Sequence, residues 1–438
     1  MLVNYHYYTV KTLAYYAGFS DETAQFIAYF SQYVDDYIMR KPFIVDREPP
    51  EFFLKNSLAD RLCDNRWTFA PCPTGFSLLN SRSHNYQIHT LMPFHFILPV
   101  PFPELPEDAD RSNYRCIMAS KKDDLLINHL MKETAEKVNL KDKYSLMALG
   151  MMLHIYADTY SHDGFSGFHG WENEFYIAGL ETKHPWQMIS QPSFRLRNTF
   201  LGKHFAKPAT NCNMNLAERI FFRTLPSIGH CNADSVTDFC ERKILLYTKM
   251  RKDGDMESVI ERNNSEAFAD CSRRILKILC KITGKPAPNS DEWHILKRKL
   301  AIAQNINNQK DHVENKERWS RIFPNISYCY QKNKFIEIKL QRLNYKNRRV
   351  LNKLDIDSRE LSDIYSEHGD QARAVFPMIS RDISDLFFMY NELAYKHVYN
   401  VTGEYSSIGS MEQMSSYQEI ALGTTPSRRQ KPEAGSRR

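Results

Sequence analysis

The chain runs to 438 residues, 42% of them hydrophobic and 13% aromatic, with a formal net charge of +6. That is enough apolar material for one large core or two moderate ones, and it excludes a disordered or collagen-like chain. The charge is mild for this length, and Lys and Arg alternate with Asp and Glu instead of forming a basic block, so charge alone predicts no nucleic-acid partner.

With only 16 Gly and long stretches rich in Leu, Lys, Glu and Ala, the expected fold class is all-α, a helical bundle carrying long ordered loops. The first helix is expected from about Tyr5 to Ala17, with Gly18 as the left-handed residue that ends it. Ser20 caps a second helix, and Asp21 and Glu22 suit the positive end of its dipole. Helical spacing puts Asp35 on the inward stripe and Asp36 about 100° away, which makes Asp35 the buried candidate. From Arg40 to about Asn113 the density of proline and aromatic residues, including PFHF around His95, predicts a long packed loop region. Helix resumes near Lys121, carrying His129, and again over about Lys141 to Ser161, where Gly164 and Gly167 end it. After a loop-rich section from Phe165 to Pro226, the second half of PSIGHCNADSVTDFCERKILLYTKM predicts a helix running into Met250. Amphipathic helix dominates from Asp255 to about Thr402, broken at GKPAPNSDEW. The expected organisation is a helical metal-site domain over 1–254, a helical extension over 255–404 and a disordered basic tail over 405–438.

The nine cysteines are scattered and contain no C-x-x-C pair, so they are expected to be reduced thiols. No Sec-type signal and no apolar run of membrane-spanning length is present, which makes the cytoplasm the default expectation and leaves non-classical export open.

The densest chemistry lies in LGMMLHIYADTYSHDGFSGFHG, which spaces His154, Asp158 and His162 four residues apart in an apolar run. Each step of four turns a helical side chain by only about 40°, so the three share a face. Two imidazoles and a carboxylate suit zinc or another divalent ion. His154 and His162 lie about 12 Å apart along a straight helix and need not serve the same ion, so two or more ions are conceivable. His230 and Asp234 repeat the four-residue spacing, and Asp238 is an alternative to Asp234. His6, Asp35, His95 and His129 would join them if the helices and the proline-rich loop converge. Each also has an ordinary structural reading, as core packing for His6 and as a backbone-bonded loop histidine for His95.

YHYYTVKTLAYYAGFSDETAQFIAYFSQYVDD, PFHFILP, LGMMLHIYADTYSHDGFSG and PSIGHCNADSVTD, in this order, resemble an uncharacterised bacterial family known only as a domain of unknown function. The H-x-x-x-D-x-x-x-H helix also resembles that of fungal heterokaryon-incompatibility C proteins. More distantly, the ordering of His and Asp is similar to the zinc-dependent phospholipase C and single-strand nuclease superfamily. That likeness implies an all-helical core and a zinc cluster of up to three ions that hydrolyses phosphodiesters. It would pair His154 with Asp158 and His230 with Asp234, make Asp35 a bridging carboxylate, and add His6 and His162. The chain departs from that superfamily in starting MLVNYH, with no N-terminal Trp, and in the short interval between Asp158 and His162.

The expected function is metal-dependent hydrolysis of a phosphoester, with Asp35 or Asp158 bridging metals or taking the proton. Lipid, nucleotide and other small phosphoesters are all chemically reasonable substrates. The competing expectation is a non-catalytic helical interaction protein whose His/Asp cluster is structural.

Overall fold

The computed structural model describes residues 2–39, 43–45, 47–62, 65–77, 80–81, 83–100, 115–121, 123–170, 173, 175–181, 228–230, 236–238, 244–249, 260–304, 312–332, 334–336 and 384–406. Helix α1 opens as a π-helical stretch, Asn4–Thr9, and continues as α-helix over Val10–Tyr16. Gly18 follows at φ +98°, which a residue without Cβ adopts without strain. The Ser20 hydroxyl accepts the Thr23 amide, so the expected cap is in place, and α2 runs over Asp21–Asp36.

The proline-rich stretch is not featureless. It contains α3 (Glu51–Lys55) and α4, a composite of His84–Tyr86, a second π-helical segment Gln87–Leu91, and Met92–Phe94. Helix α5 (Leu126–Lys137) leads to α6 (Lys143–Ser161), whose first turn is capped by the Asp142 carboxylate accepting the Tyr144 and Ser145 amides. From Leu149 to Ser161 every residue of α6 is buried, so this is the central helix and its polar groups need partners inside the protein. Helices α7 (Asn264–Thr283), α8 (Ser290–Gln304), α9 (His312–Ile322) and α10 (Ser384–Ser406) follow, and the break between α7 and α8 falls at the expected GKPAPNSDEW.

Helices α2, α5 and α7 pack against α6, and α10 lies over α4 and α6. One apolar cluster reaches from Tyr5 to Val401. The contact of α2 with α6 is close because of Gly150. A Cβ there would lie 2.5 Å from the Ile27 carbonyl oxygen and 3.0 Å from the Phe30 Cβ.

The all-α expectation needs one correction, because the mostly helical fold also contains two small antiparallel sheets. Strands β1 (Phe43–Val45), β2 (Ala59–Arg61) and β3 (Trp67–Phe69) form the first, in the order β1-β3-β2. Strands β4 (Phe175–Glu181), β5 (Ile244–Lys249) and β6 (Ile260–Arg262) form the second, in the order β4-β5-β6. The helix expected to run into Met250 is therefore β5. Its run ILLYTK is too short for periodicity to separate strand from helix, and it becomes a strand because ladders are available on both its edges. Arg262, the last residue of β6, is buried, and its guanidinium donates to the Tyr160 and Asp163 carbonyls and to Asn264 Oδ1, placing a positive charge at the negative end of α6. Among the described residues no helix is long and apolar enough to cross a membrane. Residues 407–438, most of the expected tail, lie outside the described residues.

Candidate metal centre

Asp158 is the hub. Its carboxylate is completely buried, with Oδ1 3.1 Å from His6 Nε2 and Oδ2 2.9 Å from His95 Nδ1 and 3.2 Å from His154 Nε2. His154 and Asp158 share a face of α6, as the four-residue spacing predicts. His6 arrives from the π-helical start of α1, and the Tyr5 hydroxyl bonded to Ser272 (3.0 Å) and Trp319 Nε1 donating to Asn4 Oδ1 (3.3 Å) hold that segment on either side. His95 is the residue at which α4 ends. The His6 and His154 rings stack with centroids 3.8 Å apart.

Asp35 completes this group from the end of α2, 3.8 Å from His154 Nε2, 3.9 Å from His6 Nε2 and 4.0 Å from His95 Nδ1. The expectation that Asp35 is buried and Asp36 turned away needs correction. Asp35 is 28% exposed, whereas Asp36 is only 14% exposed and bonded to the Tyr330 hydroxyl. Asp35 is open because it lines a cavity; Asp36 is covered because the chain near 330 packs across that face of α2.

His162 lies one residue beyond the end of α6, with φ −96° and ψ 6°. Its Nδ1 donates to the His95 carbonyl at 2.6 Å, which leaves the lone pair on Nε2. That nitrogen faces His230 Nε2 at 3.1 Å and Asp238 Oδ1 at 3.9 Å, while His230 Nε2 is 3.6 Å from Asp238 Oδ2. Two groups of ligand atoms thus sit side by side, one around Asp158 and one around His162. His154 and His162 fall into different groups, as their separation along the helix allows.

Nitrogen and oxygen ligands about 2.0–2.2 Å from a zinc ion lie roughly 3–3.5 Å from one another in a tetrahedron. The spacings in both groups are of that order. In three sets, His6–Asp35–His154, His95–His154–Asp158 and His162–His230–Asp238, ligand atoms lie within 4.8 Å of one another. These buried His/Asp sets could hold metal ions.

Protonation agrees with the donor set. Burial pushes the His6 imidazole down to about 4, and it holds His162 well below its ordinary value, so both rings are neutral near pH 7. Burial pushes the Asp158 carboxyl up, but the groups around it, the His162, His154 and His6 imidazoles among them, outweigh that and keep the carboxyl well below the usual range. Burial likewise opposes ionisation of Asp238, and the His230 imidazole more than offsets it. His95 differs. Burial lowers it, but its bond and charge interaction with Asp158 raise it overall. With its Nε2 donating to the Thr74 carbonyl at 2.8 Å, a second proton on Nδ1 makes His95 a cation against Asp158, and a metal ion would replace that proton.

A cavity of about 290 Å³ opens onto both groups. Asp35, His95, Asp158, His162, His230 and Asp238 form its polar side, and Leu2, Phe76, Leu91, Phe96 and Ile228 its apolar side. Phe96 stacks on His162 at 4.5 Å between centroids and is backed by Gly229, where φ is +50° and a Cβ would meet the Phe96 ring at 2.3 Å. Thr74 and Gly75 clamp the end of α2, both amides donating to the Tyr37 carbonyl and the Thr74 hydroxyl to the Val34 carbonyl.

Of the residues singled out in the sequence, His6, Asp35, His95, His154, Asp158, His162, His230 and Asp238 converge. Asp234 lies outside the described residues. His129 is exposed on α5 and belongs to neither group. His95 and Asp238 were the residues that spacing alone left ambiguous. His95 has a backbone partner, as a loop histidine should, and its other nitrogen reaches the hub. Asp238, four residues beyond Asp234, sits in a 3-10 turn, Val236–Asp238, so helical spacing from His230 could not place it.

Comparison with curated proteins and with solved structures finds no match, so it lends no support to a likeness to heterokaryon-incompatibility C proteins or to phospholipase C. One family profile covers the site and nearly all of the described helices. With residues 1–404 matched, the chain belongs to the family of unknown function DUF6765.

Proposed function

We propose that the protein is a metal-dependent hydrolase of phosphoesters, with two divalent cations, zinc or a chemical equivalent, as its cofactor. His6, His95, His154 and Asp158 would hold one ion together with Asp35, and His162, His230 and Asp238 the other. The observation that carries this reading is the pairing of two adjacent His/Asp groups with a cavity that opens onto both. A structural site is closed by protein atoms, whereas a catalytic one leaves coordination positions facing a cleft. Such ions would draw charge from the phosphoryl oxygens and make a water acidic enough to react near neutral pH. Asp35, the carboxylate most open to the cavity, accepts the proton of the water that adds to phosphorus. The ester P–O bond then breaks, and the departing alkoxide takes that proton from Asp35 and leaves as alcohol, returning Asp35 to its carboxylate form. Asp158, wholly buried with three imidazoles within 3.2 Å of its two oxygens, serves as a ligand and is no candidate for proton shuttling.

A second reading rests on the hydrogen-bond lengths around Asp158. At 2.9 and 3.1 Å, His95 and His6 can bond the carboxylate directly, so the groups also make sense as a structural network without chemistry. Elemental analysis of protein purified without added metal, combined with a bis(p-nitrophenyl) phosphate assay, separates the two. Hydrolase function predicts bound divalent metal in the parent protein and turnover, measured at saturating zinc, that falls on the order of 10²-fold or more in Asp35→Asn. Folded protein that neither contains nor takes up metal would overturn it.

A further inference from the structure

The organic part of the substrate can be read from the cavity walls, an inference that rests on the hydrolase reading of the same site. We propose that the substrate is a singly charged phosphodiester carrying a compact apolar group, and not a nucleic-acid strand. Three observations converge. First, among the described residues no Lys or Arg lines the cavity, while three carboxylates, Asp35, Asp158 and Asp238, do. A strand of phosphates needs a cationic track, and without one among the described lining residues repeated negative charge goes unmatched beyond the metal ions. Second, two divalent cations exceed three carboxylates by one unit of positive charge, which a single phosphodiester anion neutralises. Third, the wall facing the polar groups is apolar. Leu91 and Phe96 are buried in it, and Phe76, 39% exposed, stands where an entering ligand would cover it. An exposed aromatic side chain beside a polar cavity gains from covering by a hydrophobic substituent. The cavity, at about 290 Å³, is at the small end for ligand sites and suits an aryl or short branched alkyl group.

The test is calorimetric titration of the zinc-loaded full chain with diphenyl phosphate, dimethyl phosphate and an oligothymidylate, none of which requires turnover to be read. Diphenyl phosphate is expected to bind at least about tenfold more tightly than dimethyl phosphate. Phe76→Ala shrinks that ratio, and Phe76→Leu restores most of it. Equal affinities for the two diesters, or tighter binding of the oligonucleotide, would overturn the proposal. The failures are distinguishable: turnover of bis(p-nitrophenyl) phosphate without the aryl preference leaves the hydrolase reading standing alone. The aryl preference without turnover leaves the ligand class standing and removes the chemistry. Protein that takes up no zinc overturns both.

Discussion

His162 shows how much one backbone carbonyl decides. By accepting from Nδ1, the His95 carbonyl fixes the tautomer and aims Nε2 at His230 and Asp238, so a residue of one group orients a residue of the other. Asp158, by contrast, contacts the ring nitrogens of four histidines, His162 at the longest distance of 3.6 Å. Metal counts should differ accordingly. Asp238→Asn is expected to cost one equivalent of metal, whereas Asp158→Asn costs the first ion and weakens the second. Metal-to-protein ratios by plasma mass spectrometry read this directly, and identical losses in the two variants would show that the groups are not separate. The pairing of His154 with Asp158 was legible in the sequence because both lie on one uninterrupted helix. Asp35 was legible as a position but not as an environment. Which of two adjacent carboxylates is covered depends on Tyr330 and Lys332, about three hundred residues away in the chain, and no local pattern carries that.

Elements matter here through close approach. Gly150 stands one turn before His154, and the atom nearest an added Cβ is the backbone oxygen of Ile27, which cannot swing aside as a flexible side chain would. Gly150→Ala should push α2 off α6, destabilise the fold by about 1–3 kcal/mol and move Asp35 away from His154. Chemical denaturation measures the first effect and metal affinity the second. A variant as stable and as tight-binding as the parent would mean the helices slide without consequence. The helices α2 and α6 were readable from apolar spacing, and the start of α2 also from its Ser20 cap. Strand β5 was not, because its identity comes from partners at 175–181 and 260–262. The two π-helical turns were also unreadable, although one carries His6 and the other ends four residues before His95. A π turn adds a residue to a helical repeat without any composition of its own, and such turns recur at functional sites.

Across the whole molecule, α10 ties the C-terminal region to the site through His397, whose Nε2 donates to the Pro93 carbonyl at 2.8 Å, two residues before His95. Burial pushes this imidazole down to about 4 from its ordinary 6.5. The folded state therefore resists a proton that the unfolded chain accepts. The stability this group contributes is complete above about 6.5 and is lost as pH falls from there towards 4, at roughly 1.4 kcal/mol per pH unit and about 3 kcal/mol in total. His6 titrates over the same window, so a comparison isolates the contribution of His397. Urea midpoints measured from pH 7 to pH 4 should fall less steeply in His397→Gln, which retains a donor for Pro93, than in the parent. Parallel slopes would place the acid sensitivity elsewhere. The helical character of the molecule was legible from composition. The joining of its first and last helices in one apolar cluster was not, since contacts such as Tyr37 with Asn391 link residues 354 positions apart.

The clamp on His6 has a consequence for biosynthesis. A ribosome makes His6 well before Ser272 and Trp319, which hold its segment in place. A nascent chain thus carries a candidate ligand early and can seat it only after residue 319 has been made, so a polypeptide cut short before that point is expected to bind a cation less tightly than one that extends past it.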